Sequence, residues 1–471
     1  MTLFGTSGVR GPVGETVTAG LALSIGRAVG SGADRVVVGR DVRESGTVLK
    51  GAVTAGLREC GTDVVDVGVA TTPTIARSVG WCDADGGIAI TASHNPPEDN
   101  GLKLWTASGK TYDPAALKAV ERRIEAEEYD LVAWDAIGSF ERWSDADDRH
   151  VAAIRESVSV PGEPSVVVDL GTGTGRVTVE ALRALGCAVT TINAEPDGRF
   201  PARPSEPTAE NCETLASVVA ATNADLGVAH DGDADRLMAV ADDGTFLPGD
   251  VLLALFGRDA VSNAADPEAV DSDTATPTDE PLVAAPVNTS LAVDDALAEV
   301  GGALTRTRVG DGFVADRATD PAVVFGGEPS GAWIWPAATL CPDGPLAACR
   351  LAALVTREGP LSSLVETVPY YPLYREGVDL GTASKVAVMD WIQTAVESGE
   401  GPGGDGPNGV VEVDDRDGLR VDLGDAWYLI RPSGTQPLIR VTAEARHEDR
   451  ASEVFETART LVEAAVHNEA G

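Results

Sequence analysis

Lysine is scarce in this 471-residue chain. It occurs only at 50, 103, 110, 118 and 385, and Lys and Arg together number 36 against 74 Asp and Glu. The formal net charge of −38 excludes nucleic acid and anionic membranes as expected partners, since both would meet a repulsive field. The acidic residues run the length of the chain instead of collecting in a tail. That dispersal suits a surface solvated in high salt, where screening shortens the reach of self-repulsion. No apolar run approaches the roughly 20 residues that span a bilayer. The first ten residues, MTLFGTSGVR, have neither a basic nor an apolar leader region, so no secretory signal and a cytoplasmic location are expected. Six cysteines, at 60, 82, 187, 212, 341 and 349, form no C-x-x-C pair. Reduced thiols are expected, not a disulfide frame or a zinc site.

What is present is a repeated alternation of helix and strand patterns. Thr16–Val29, Ser45–Cys60 and Ala115–Glu127 have helical spacing, while Arg35–Gly39, Asp63–Val67 and Gly86–Ile90 are strand-like. The alternation predicts parallel α/β architecture. Phe140–Ser157 is a first boundary, and the pattern restarts at Ser165–Asp169. It continues through Gly175–Leu185, Ala188–Ile192, a helix from Asn211 and Leu226–His230. A third unit begins near Pro248, interrupted at Asn263–Pro281 by an acidic, aperiodic insertion. After about Thr367 the character becomes α+β: a Gly/Pro loop at Gly399–Gly409, four short strands and a closing helix at Arg450–His467. The expected domains are 1–150, 151–247, 248–367 and 368–471.

Five segments carry chemistry. Thr91-Ala-Ser93-His94-Asn-Pro-Pro displays a serine after a buried strand, with a second turn expected at Asn100-Gly101 and Lys103 beyond it. Taken alone, the serine reads better as a turn-former. Asp231-Gly-Asp233-Ala-Asp235-Arg236 sets three carboxylates at alternate positions, which can converge on one hard cation such as Mg²⁺. An EF-hand needs glycine at its sixth position, where Arg236 stands, and a solvated acidic turn is the other reading. Glu328-Pro-Ser330-Gly offers an acceptor and a hydroxyl to a sugar, or is a glycine-rich turn. Arg431-Pro-Ser433-Gly434-Thr435, with Arg440 beyond, has the makings of a phosphate cradle. Gly5–Gly11 places Arg10 near a possible anion. The glycine turn Asp169–Gly175 is spaced wrongly for a dinucleotide fingerprint and reads better as a strand-to-helix turn.

In order and spacing these segments resemble the α-D-phosphohexomutase superfamily over essentially the whole chain. A haloarchaeal-type member fits the charge. The resemblance implies three related mixed α/β-sheet domains and a smaller C-terminal α+β domain around a central cleft. It implies a phosphoserine at Ser93 and catalytic roles for Lys103, Arg10 and His94. Mg²⁺ would be held by Ser93, Asp231, Asp233 and Asp235, and substrate by Arg236, Thr307, Gly310, Glu328 and Ser330. Phosphate would sit on Arg431, Ser433, Gly434, Thr435 and Arg440, and Lys103, its pKa lowered by nearby cations, would move protons. Two departures stand out: Ala332 where the family pattern has histidine, and Gln436 where it has glutamate.

The implied activity is interconversion of hexose 6- and 1-phosphates through a hexose 1,6-bisphosphate. The motifs lie closest to the phosphoglucosamine branch, with phosphoglucomutase/phosphomannomutase as the alternative. A methyltransferase built on Asp169–Gly175 and a non-catalytic phosphosugar-binding protein are the readings from other classes. The expected partner is a small phosphosugar, and the expected state is a monomer or homodimer.

Overall fold

The computed structural model describes residues 3–5, 8–264, 280–398, 410–433 and 437–470. Most of the acidic insertion, the Gly/Pro loop at 399–409 and, within the phosphate segment, Gly434, Thr435 and Gln436 lie outside the described residues.

The first sheet has the strand order Val9–Pro12, Asp99–Thr106, Gly86–Ile90, Arg35–Arg40, Asp63–Val69, Phe140–Arg142. Its last four strands are parallel, but Asp99–Thr106 runs antiparallel to both neighbours. The sheet is therefore mixed, as the resemblance implies. The connection 91–98 is too short to house a crossover helix, so the chain can only turn back beside the strand it left. The expected turn at Asn100-Gly101 is overridden for the same reason. Both residues sit inside that strand, opposite Gly11 and Arg10, and the Asn100 amide donates to Ser45 Oγ at 2.9 Å.

Local sequence sets the helix ends. Ala19–Gly30 starts where the Thr18 hydroxyl accepts from the Leu21 N–H, three residues later than its periodicity suggests. The sequence pattern missed the helix Thr72–Trp81. It opens on a Thr-Pro pair behind a Thr71 cap and is buried along most of its length.

The second and third sheets follow the same plan. The order Leu237–Ala241, Leu226–His230, Ser165–Asp169, Ala188–Ile192 is parallel except for Leu237–Ala241. In the third, Ala303–Thr307, Leu282–Pro286 and Val323–Glu328 are parallel and Ala332–Ile334 returns antiparallel. The three site loops, 91–98, 231–236 and 329–331, are thus equivalent. Each joins a parallel strand to an antiparallel neighbour.

One continuous apolar core runs from Val166 and Leu182 through Phe256 to Phe325 and Trp333, tying the second and third units together. The helices Gly249–Ala264 and Gly344–Glu358 carry it across. Trp333, beside the departure at Ala332, belongs to this core, and its indole N–H donates to the Leu237 carbonyl at 2.9 Å.

The C-terminal unit is a five-stranded antiparallel sheet with Lys385–Glu397 and Glu448–Ala470 packed together beside it. Its edge strand Leu373–Asp379 is mostly exposed and lacks the buried alternation that reveals the others. Buried Glu444 fastens this unit to the third. It accepts from Ser290 Oγ at 2.6 Å, the Leu291 N–H at 2.7 Å and Trp427 Nε1 at 2.7 Å.

Candidate active site

Ser93 is buried and holds a left-handed backbone with φ 49°, a conformation that costs a non-glycine residue about 1–3 kcal/mol. Arg43, fully buried at the start of the second helix, offsets that cost. Its guanidinium donates to the carbonyls of Ser93 (3.0 Å), Asn95 (2.6 Å), Pro96 (2.5 Å) and Asp99 (2.8 Å). Asp41 pairs with it at 3.0 Å, so the charge is not left alone in the interior. Burial pushes the Asp41 carboxyl up to about 6, against the pull of Arg43.

The Ser93 hydroxyl donates to Asp231 Oδ2 at 2.5 Å. Its one proton is thereby used, so His94 Nδ1, 3.3 Å from the same oxygen, is the donor in that contact. Burial, helped by Arg236, Arg10 and Lys103, lowers the His94 pKa to about 3 and keeps the ring neutral.

Asp231, Asp233 and Asp235 converge as the alternating spacing suggests. All three are buried, and one carboxylate oxygen from each lies within 4.8 Å of the others. Ala234, at φ 55°, turns the loop so that this is possible. Gly232 is required because a Cβ there would meet Ser205 Oγ at 2.9 Å and the Ser93 carbonyl at 3.0 Å. Thr72 anchors the loop to the first domain. Its N–H donates to the Asp233 carbonyl at 2.9 Å and its hydroxyl to Asp233 Oδ2 at 2.6 Å. Burial and the charges of Asp233 and Asp235 push Asp231 well above the usual carboxylate range. Burial acts upward on Asp233 too, but Lys103, the Thr72 hydroxyl and Arg10 outweigh it and hold that carboxyl down. Asp233 Oδ1 is buried with no hydrogen-bond partner. Three converging carboxylates, one orphaned oxygen and the adjacent Ser93 oxygen are a donor set that fits a hard divalent cation.

Lys103 departs from expectation. Burial acts to lower its pKa, but the carboxylates of Asp235 and Asp233 outweigh it and hold the ammonium above lysine's ordinary value. Its Nζ bonds Asp235 Oδ2 and lies 3.7 Å from Asp233 Oδ2. The nearest charges are anionic, not cationic, because the strand register puts Lys103 against the metal loop.

A cavity of about 300 Å³ opens beside these groups, with Arg10, Ser93, Lys103, Arg236, Glu328 and Ser330 among its walls. Gly310, Ala332 and Arg431 also line it. Arg10 Nε is buried without a hydrogen-bond partner, a donor left for an anion. Glu328 Oε1 accepts from the Gly310 N–H at 2.7 Å. Where the family pattern has histidine, buried Ala332 leaves that part of the wall without a polar group.

Four predicted site residues are placed otherwise or not at all. Thr307 is buried, donates to its own neighbour's carbonyl at 2.8 Å and does not line the cavity. Arg440 faces its register partner Arg431 across two strands, but it is exposed and away from the cavity walls. Gly434 and Thr435 lie outside the described residues. Buried Ser433 is held by its backbone, its carbonyl accepting from Lys385 Nζ. Arg431 also carries a partner the sequence did not suggest, Asp417 at 3.0 Å.

Arg43, Thr72, Ser205, Asn288 and Asp311 were not singled out by sequence, although each touches the site loops or the cavity. Asp311 directly follows Gly310, which the resemblance singled out. Arg43, Thr72 and Ser205 act largely through main-chain contacts, which leave no spacing signal. The glycine turn at Asp169–Gly175 is structural. Arg203 fills it, donating to Asp169 Oδ2 at 2.7 Å and to the His230 carbonyl at 2.6 Å. A Cβ on Gly173 would strike the Gly232 carbonyl at 2.6 Å. Cofactor space is absent there, which argues against the methyltransferase reading. The six cysteines are free, as expected, and no helix among the described residues is long and apolar enough to cross a membrane.

Comparison with known proteins agrees with this geometry. The chain matches the phosphoglucomutase/phosphomannomutase alpha/beta/alpha domains I, II and III over residues 1–130, 148–244 and 248–371, and the C-terminal domain over 381–461. It is 42% identical over 456 residues to a probable phosphoglucosamine mutase of Methanopyrus kandleri, covering 96% of this chain and 95% of that one. Identity to a probable phosphoglucosamine mutase of Methanosarcina acetivorans is 41% over 467 residues, 99% of this chain and 100% of the relative. A crystal structure of a phosphoglucomutase/phosphomannomutase family protein from Burkholderia thailandensis superposes with TM-score 0.85 at 28% identity, covering 98% and 97% of the two chains. With all four domains matched in order, the chain belongs to the phosphoglucomutase/phosphomannomutase family, within the α-D-phosphohexomutase superfamily.

Proposed function

We propose that this protein is a phosphoglucosamine mutase, interconverting glucosamine 6-phosphate and glucosamine 1-phosphate through phospho-Ser93 and a 1,6-bisphosphate. The observation that carries the reading is the 2.5 Å contact between Ser93 and Asp231 at the wall of a cavity that also holds Arg10, Lys103, Arg236 and Arg431. Two full-length relatives of about 40% identity bear that activity in their names.

The two oxygens of a hexose that exchange phosphate are too far apart for direct transfer. A phosphorylated serine solves the problem in two balanced steps. The bond from phosphorus to Ser93 Oγ breaks as a bond to the substrate's free hydroxyl oxygen forms, and that hydroxyl gives up its proton. The bisphosphate then turns end for end. Ser93 takes back the other phosphate, and the sugar oxygen released recovers a proton.

Lys103 stands in the cavity wall with Ser93 and, held as an ammonium by Asp235 and Asp233, is the residue to return a proton to the sugar oxygen released. Mg²⁺, held by Asp231, Asp233, Asp235 and an oxygen on Ser93, would neutralise charge on the transferring group. Arg10, with its unpartnered Nε, faces the same charge. Arg431, with the loop that follows it, would grip the phosphate that does not react, fixing reach and orientation. Glu328 and Ser330 would meet sugar hydroxyls presented alike in both orientations. The substrate is then a small phosphosugar handled inside the cell at high salt, consistent with the −38 charge.

The test is a coupled mutase assay on purified protein with Mg²⁺ and a trace of hexose 1,6-bisphosphate, read beside its intact mass. Turnover of glucosamine 6-phosphate together with a partial mass gain of one phosphate is expected. A protein that binds phosphosugar without turnover would support the non-catalytic reading instead.

A further inference from the structure

The cavity contains a charge arrangement that the transfer chemistry does not use. Asp311 lines it, and among the described residues its carboxylate makes no hydrogen bond and no ion pair; the Lys103 ammonium that feels its charge is already bonded to Asp235. Glu328 shares the wall, and its Oε1 accepts from the N–H of Gly310, the residue before Asp311. One backbone bond therefore fixes the two carboxylates as neighbours. Burial, with Asp311 as the next contributor, pushes the Glu328 carboxyl up to about 7. Asn288, also in the cavity lining, has a buried Oδ1 with no donor.

Such a grouping is unfavourable in a site for an anion. Three cations of the cavity are already matched, Lys103 with Asp235, Arg236 with Glu206 at 3.6 Å, and Arg431 with Asp417, which leaves Arg10 with its unpartnered Nε for an incoming phosphate. A second unpaired carboxylate adds repulsion towards an incoming phosphate. It is useful if the sugar brings its own positive charge. A sugar hydroxyl offers one proton to three acceptors, whereas a protonated amine offers three N–H donors and a full charge.

We infer that Asp311 is the specificity residue that reads the ammonium group of an aminohexose phosphate and so separates it from the 2-hydroxyl and N-acetylated sugars. The inference rests on the proposed mutase activity and deepens it. Asp311 takes no part in phosphoryl transfer. An N-acetyl group keeps one N–H but loses the charge, and a hydroxyl loses both, so each leaves the carboxylate unpaired.

The experiment compares kcat/KM of the wild type and Asp311→Asn on glucosamine 6-phosphate and glucose 6-phosphate. The variant is expected to lose about tenfold or more on the amino sugar, mostly in KM, as is typical of a charge-assisted contact. On glucose 6-phosphate its rate is expected to hold or rise, which also shows that it folds. An equal loss on both sugars, or no loss on either, overturns the inference while leaving the mutase reading intact. The wild type is further expected to favour glucosamine 6-phosphate over N-acetylglucosamine 6-phosphate by about tenfold or more. Equal rates overturn the inference without any variant. A wild type inactive on every hexose phosphate overturns the mutase activity and the inference with it.

Discussion

The Ser205 hydroxyl donates to the main-chain carbonyl of Ser93 at 2.9 Å, and the same oxygen accepts from the Gly232 N–H at 2.9 Å. One side chain thus ties the serine loop of the first domain to the carboxylate loop of the second. On the other side of that carbonyl stands Arg43, whose guanidinium also lies 4.9 Å from the Phe200 ring. Ser93 Oγ and Asp231 are held in register through backbone that neither residue's own chemistry controls.

Ser205→Ala is expected to lower kcat by roughly tenfold with KM little changed, since a small loss of alignment at a transferring group is costly. Ser205→Thr keeps the hydroxyl and is expected to recover most of the rate. Steady-state kinetics on the pair decides. A loss in KM alone, or no recovery with threonine, counts against a positioning role.

Ser93→Ala removes the transferring oxygen. Turnover is expected to fall below detection while thermal unfolding stays within a few degrees of wild type, because the fixed elements here are the loop carbonyls. Intact-mass measurement is expected to show the phosphate gone. Mutase activity retained by this variant would rule out the phosphoserine route.

Chelation by EDTA is expected to abolish turnover and added Mg²⁺ to restore it. Asp233→Asn, which neutralises the carboxylate carrying the orphaned Oδ1, is expected to weaken Mg²⁺ activation by at least about tenfold, following the usual penalty for losing a hard anionic ligand. Metal titration of activity and of protein fluorescence would report it. Full activity in chelator would remove the metal assignment.

Glu328 makes stability depend on pH. Its carboxyl titrates near 7 in the folded protein against an ordinary 4.5, so the folded state keeps a proton that the unfolded chain has already lost. Stability is therefore expected to fall as pH rises between these values, by up to about 3 kcal/mol. Urea unfolding at pH 5 and pH 8, in constant KCl, is expected to show that difference shrinking in Glu328→Gln. An unchanged difference would place the pH dependence elsewhere, for instance on Asp41 or Asp250, both also pushed up by burial to about 6.

The net charge of −38 predicts self-repulsion that added salt relieves. The melting temperature is expected to climb steeply from dilute buffer to molar KCl, the range over which the Debye length shrinks from about 30 Å to about 3 Å. A melting temperature flat across that range would remove the high-salt reading.

The residues that do chemistry were legible because each motif sits in one short loop. Ser93 with His94, the 231–236 run and Glu328-Pro-Ser330 could be picked out one by one, and their order along the chain carried the family resemblance. Register was less legible. Asn100-Gly101 reads as a turn by composition, yet strand pairing with Gly11 and Arg10 straightens it. Lys103 was expected among cations and lies instead against Asp235 and Asp233, a contact across more than a hundred residues of chain.

The sequence by itself determined which side chains could transfer phosphate, hold a cation or meet a sugar, because those capacities reside in functional groups and local spacing. It also determined the alternation of helices and strands, since periodicity follows from where apolar side chains must point. Tertiary structure alone decided that the three short returns become equivalent loops meeting at one cavity. It alone paired Lys103 with the metal loop, left the Asp311 carboxylate without a hydrogen bond or ion pair among the described residues, and hung the serine loop from Arg43 and Ser205. Those relations depend on distances between segments remote in the chain, and only close packing sets such distances.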